Sequence, residues 1–96
     1  MRFTKKQVLD AAKKMNLNMD IIPLETLQIG LKIELEHGRV DENTNVTDDK
    51  IIPTMKIVLA HLHEGLTYYD LLVKLERKLD ERRKKDGGHY PKLYNI

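Results

Sequence analysis

Apolar residues recur at intervals of three and four along most of the chain, the spacing of amphipathic helices rather than of strands. Val8, Leu9, Ala11, Ala12 and Met15 fall on one side of a first helix over about Lys5 to Asn16. Thr4 is its N-cap, and Gln7 three residues later completes a capping box. The segment "NLNMDII" breaks the period, and Pro23 suits a first helical position because its missing N–H is not needed there. A second helix is predicted from about Pro23 to His37, with Leu24, Leu27, Leu31 and Leu35 in one row and Gly38 as a left-handed stop.

The polar loop "GRVDENTNVTDD" follows, rich in short side chains that bond nearby backbone. Thr47, Asp48 or Asp49 is expected to cap a third helix that holds Pro53 in its first turn and runs to about Glu64 before Gly65. Thr67 is expected to cap a fourth helix, to about Lys84. Its stripe is the clearest in the chain: Tyr68, Leu71, Leu72, Leu75 and Leu79. "IIPTMKIVLA" reads like a strand but carries a proline, which argues against a β assignment. The fold expected is all-α, a small bundle of about four helices over residues 1–86, with 87–96 as a C-terminal tail or docking arm.

Composition narrows the function. A chain of 96 residues makes one small domain. No cysteine means no disulfide framework and no thiolate metal site, in keeping with a reducing, intracellular setting. "MRFTKKQVLDAAKK" lacks an apolar signal region and no segment is apolar for long enough to span a bilayer, so a soluble protein without membrane partners is expected. Seventeen basic and fifteen acidic residues nearly cancel. That balance does not favour nucleic acid as a partner, although Arg82, Arg83, Lys84 and Lys85 form a basic helix end that a nucleic-acid accessory protein or an acidic partner could use. The same cations also complement a helix dipole.

Candidate chemistry concentrates in four residues. Glu34 and His37 have i, i+3 spacing on the second helix, as do His61 and Glu64 on the third, and the wheel places all four inward. Each helix would thereby offer one imidazole and one carboxylate to a common point. Zinc or iron would accept such a set. The alternative is a buried hydrogen-bond network with no cofactor, since inward polar groups demand partners and two His–carboxylate pairs satisfy one another. The alternation Asp41, Asn43, Asn45, Thr47, Asp49 resembles a calcium loop but carries Val46 where Gly is required and Ile52 where a bidentate Glu belongs. With no serine, no cysteine, and no phosphate-binding or nucleophile motif, no catalytic residue is assigned and no enzyme is expected. The tail "HYPKLYNI" holds Tyr90, Leu93, Tyr94 and Ile96, apolar enough to dock a partner.

The segments "ELEHG" (Glu34, Glu36, His37, Gly38), "TNVTDD" (Thr44, Asn45, Val46, Thr47, Asp49), "TMKIVLAHLHE" (Thr54, Lys56, Ile57, Ala60, His61, Leu62, Glu64) and "YYDLL" (Tyr68, Tyr69, Leu72) together carry a resemblance. From about Leu27 to Glu76 the chain resembles a small family of unknown function found in large DNA viruses, with looser versions in tailed phages. In "EGLTYYD", Gly65 and Thr67 replace the acidic-Pro turn of that family, and a Thr cap serves as an Asp cap would. The resemblance implies a viral protein in the virion or host cytoplasm, with a structural or assembly role. Its partners would be other viral proteins or a second copy of itself.

Overall fold

The computed structural model describes residues 2–85 and 87–88. Four α-helices follow one another: α1 (Lys5–Lys14), α2 (Leu24–Val40), α3 (Ile51–Leu62) and α4 (Tyr68–Lys85), with a 3₁₀ turn at Glu42–Thr44 between α2 and α3. No strand occurs among the described residues, and no described helix is long and apolar enough to cross a membrane. The all-α bundle read from the periodicity is the fold.

α1 starts as its sequence dictates. The Thr4 hydroxyl accepts the Gln7 amide at 3.1 Å, and the Gln7 side chain accepts the Thr4 amide at 2.8 Å. Val8, Ala11 and Ala12 are buried and meet Leu27, Leu31 and Ile33 of α2 and Met55, Val58 and Leu62 of α3 in the core. Small residues on α1 let it lie close to the other two helices.

α2 does not stop at Gly38. It continues three residues further than a helix ending at His37 would, and Gly38 has no left-handed backbone. Its glycine serves another end: a Cβ there would stand 3.0 Å from Asn45 Oδ1, so the bare backbone lets the following loop fold against the helix. Left-handed geometry falls instead on Asp48 and Asp49, with φ of 49° and 60°, which short polar side chains tolerate.

Thr47, Asp48 and Asp49 do not cap α3. Lys50 occupies the N-cap position and makes no side-chain capping bond. The reason lies in the backbone: an N-cap is extended, whereas Asp48 and Asp49 are left-handed, with φ of 49° and 60°. Buried Thr47 turns inward to the loop instead. Its hydroxyl donates to Asn45 Oδ1 at 3.2 Å and accepts the Asp49 amide at 3.3 Å, while Asn45 Nδ2 donates to Asp49 Oδ1 and Arg39 Nε to Asp49 Oδ2, each at 3.3 Å. The loop is thus cross-linked by its own side chains and tied to the end of α2.

α3 ends at Leu62; the His63 amide still bonds Leu59, but the two that follow bond three residues back, Glu64 to His61 and Gly65 to Leu62. This tightening turns Glu64 off the helical register. Thr67 stands directly before α4, its carbonyl accepting the Leu71 amide. At the far end Gly87 and Gly88, with φ of 96° and 79°, return their amides to the carbonyls of Lys84 and Arg83, a Schellman closure that only glycine adopts without strain.

The stripe of α4 is the largest departure from expectation. Leu71, Leu75 and Leu79 are 62%, 52% and 51% exposed. The face laid on α2 is turned by roughly a quarter of the helix and is led by Tyr69, the one fully buried residue of α4. Gly30 makes that approach feasible, because a Cβ there would come within 2.8 Å of both Tyr69 Cε2 and Val58 Cγ1.

Candidate functional site

Three helices deliver polar side chains to one place. Glu34 projects from the inner half of α2, its side chain only 9% exposed. A carboxylate so buried needs donors. Tyr69 of α4 supplies one, its hydroxyl donating to Glu34 Oε2 at 3.0 Å. His61 of α3 and His37 of α2 stand on either side, with Nε2 and Nδ1 each 3.7 Å from a Glu34 oxygen, too long for a hydrogen bond. His37 reaches outward through its other nitrogen to Glu76 of α4 at 2.6 Å. No buried side-chain polar atom among the described residues lacks a partner.

Aromatic stacking fixes the rings. His61 lies flat on Tyr68 with centroids 4.4 Å apart and 6° between planes, and Tyr69 meets both rings edge-on, a geometry that suits the opposite charge of ring faces and edges. Burial first, then the Glu34 charge, then the hydrogen bond to Glu34 hold the Tyr69 phenol far above the usual tyrosine range. Tyr68 is raised as well, by burial and then by the charges of Glu34, Glu64 and Glu76. Both phenols are held in the protonated form, and that of Tyr69 is a donor.

Of the four residues singled out by spacing, Glu34, His37 and His61 come together and Glu64 does not. Glu64 is exposed, carried away by the tightened end of α3. His37 is nearly half exposed, at the rim of the cluster and not inside it. Glu76 of α4, not among the four, joins the cluster through His37 because α4 is rotated. Tyr69 was visible only as part of the "YYDLL" segment. Its hidden signal is the pair Tyr69 and Glu76, seven residues apart and hence on one side of a helix.

No group of three or more His, Asp or Glu side chains among the described residues is arranged to hold a metal ion. The Glu34 oxygens face a phenol and two imidazoles, and Glu76 is taken by His37. What the arrangement does is join α4 to α2 and α3 across an otherwise thin interface. Beside it a groove of about 260 Å³ runs between α2 and α4, lined by Glu36, His37, Val40, Leu79 and Asp80.

The other candidate residues are scattered. In the basic end of α4, Arg83 is hydrogen-bonded to Asp80, while Arg82, Lys84 and Lys85 are exposed. Tyr90, Leu93, Tyr94 and Ile96 lie outside the described residues.

A family model described as "Protein of unknown function (DUF5661)" matches residues 6–78, so the chain belongs to that family. The match begins within α1, further towards the N-terminus than the resemblance seen from Leu27 onward. Comparison with curated proteins and with solved structures finds no match.

Proposed function

We propose that this protein is a non-enzymatic interaction module of virion structure or assembly that docks another protein through the outer face of α4. The observation that carries this reading is the row Leu71, Leu75 and Leu79, a helical ridge with more than half of each side chain facing water. Val40, across the groove from Leu79, extends the apolar surface. Contiguous exposed apolar area on a small domain is the usual mark of a contact surface. The polar hub supports the reading by offering a different reason for α4 to be held in place: Tyr69 and Glu76 anchor the helix, which frees its leucines for another body. The viral setting rests on the resemblance of residues 27–76.

Leu75→Glu tests the proposal. In affinity capture from infected cells, the variant should lose the proteins retained by the unaltered chain while keeping its helicity and melting temperature, because the residue supports no core packing. Retention of the same proteins by the variant would reject α4 as the docking face.

A further inference from the structure

We infer that the partner of α4 is an amphipathic helix carrying acidic residues beside its apolar ridge, an inference that rests on the reading of the leucine row as the docking face. At about 100° per residue, Tyr68, Leu71, Leu75 and Leu79 occupy roughly 80° of the helix surface. One edge of this arc is closed by α2, against which Tyr69, Leu72 and Glu76 are turned. The open edge is lined by Lys74, Lys78 and Lys85, with Arg82 continuing the row itself. All four cations are exposed, and among the described residues none of them forms an ion pair. The acids of α4 lie elsewhere: Glu76 faces His37, Asp80 holds Arg83, and Asp70 and Glu81 sit beyond the lysines.

This charge pattern selects among occupants. In an antiparallel pair of α4 helices centred on Leu75, Leu71 meets Leu79, but the lysine edge of one copy meets the lysine edge of the other. A parallel pair would lay the lysine edge of one copy against the opposite flank of the other, the flank of Tyr69 and Glu76 that α2 already covers. Like charges flanking an apolar seam oppose association, and opposite charges set partner choice. The chain's own last residues, "HYPKLYNI", carry Lys92 and no acid, so they match the edge no better. A helix with leucines four residues apart and glutamates on the facing flank complements both features. Leu71 to Leu79 spans about 12 Å, so a partner helix of about three turns covers the row, ridge into groove.

The test uses the full chain and three synthetic helical peptides with the same leucine ridge, flanked by Glu, by Gln or by Lys, titrated while the α4 amide resonances are followed. The Glu peptide should bind about tenfold tighter than the Lys peptide at low ionic strength, with the gap narrowing as salt is added. Lys74→Glu with Lys78→Glu should invert that order, and Leu75→Glu should abolish binding of all three. Equal affinity for the Glu and Gln peptides, both lost with Leu75→Glu, would overturn the acidic partner and leave the leucine row standing as a docking face. Binding indifferent to Leu75→Glu would overturn both. Dimerisation of the chain through Leu75, with no response of α4 to any peptide, would replace the acidic helix by a second copy.

Discussion

α2 and α4 carry the same device, a row of three leucines at intervals of four, and they use it in opposite ways. Leu27, Leu31 and Leu35 are 0%, 1% and 2% exposed, whereas Leu71, Leu75 and Leu79 face water. The spacing of four is the same in both helices, so it establishes that each has an apolar side without saying what that side touches. Neighbouring residues decide that. The α2 row has Gly30 beside it, letting two helices close in, and Glu34 beneath, waiting for donors. On α4 the donor, Tyr69, lies a quarter-turn from the leucines, with Glu76, the partner of His37, one heptad on, and the helix turns to bring both to α2.

The largest test of this contrast compares matched truncations. Leu31→Ala should cost about 2–5 kcal/mol, as for a buried leucine replaced without full collapse of the cavity. Leu75→Ala should fall within about 0.5 kcal/mol of the unaltered chain, as for a surface change. Denaturant titration of both variants reads the difference directly, and equal losses would mean that the α4 row is packed.

A smaller effect is expected at Tyr69. Tyr69→Phe leaves a buried carboxylate without its donor, a loss of about 1–3 kcal/mol, and hydrogen exchange should rise across α4 more than it does in Leu75→Ala. The same phenol predicts a pH dependence. Its folded pKa lies above the ordinary value of 10.0, so above that pH the unfolded chain has released a proton that the folded chain still binds. Stability from this group is complete below about pH 10 and declines as the pH rises beyond it. Tyr69→Phe should remove this part of the alkaline decline, and an unchanged slope in the variant would show that Tyr69 is not the group responsible.

Smallest is Gly30→Ala. Alanine gains about 1 kcal/mol of helix propensity over glycine, but the added methyl meets the Tyr69 ring and Val58, and overpacking of a core costs about 1–3 kcal/mol. A net loss of about 1 kcal/mol is expected in thermal melts. A gain would show that α3 and α4 can shift away from α2 freely.

Much of this architecture is legible in the sequence. Four helices follow from the apolar spacing, and the Thr4–Gln7 capping box is what its two residues spell. The inward turn of Glu34 and His61 follows from their wheel positions. The errors share a cause: a local signal was outweighed by a contact distant in sequence. Gly38 reads as a helix stop, yet it is there to admit Asn45. Thr47 and the two aspartates read as caps, yet the aspartates are left-handed and Thr47 is engaged with Asn45 in the loop. Glu64 reads as inward only if α3 keeps its period to the end. The rotation of α4 could not be read from its own stripe, since the partner of Tyr69 is 35 residues away on α2.

Gly30 has a consequence for how the molecule comes apart. Val58 of α3 and Tyr69 of α4 meet at that single bare position on α2. A helix whose leucines face outward contributes little to its own order and would ordinarily fray as an independent segment. Because its anchor shares a seat with the core of α2 and α3, α4 cannot detach without exposing the site where those two helices touch. Loss of α4 therefore uncovers part of that core to water, so the firmness of the water-facing ridge is tied to the interior beneath it through one bare position.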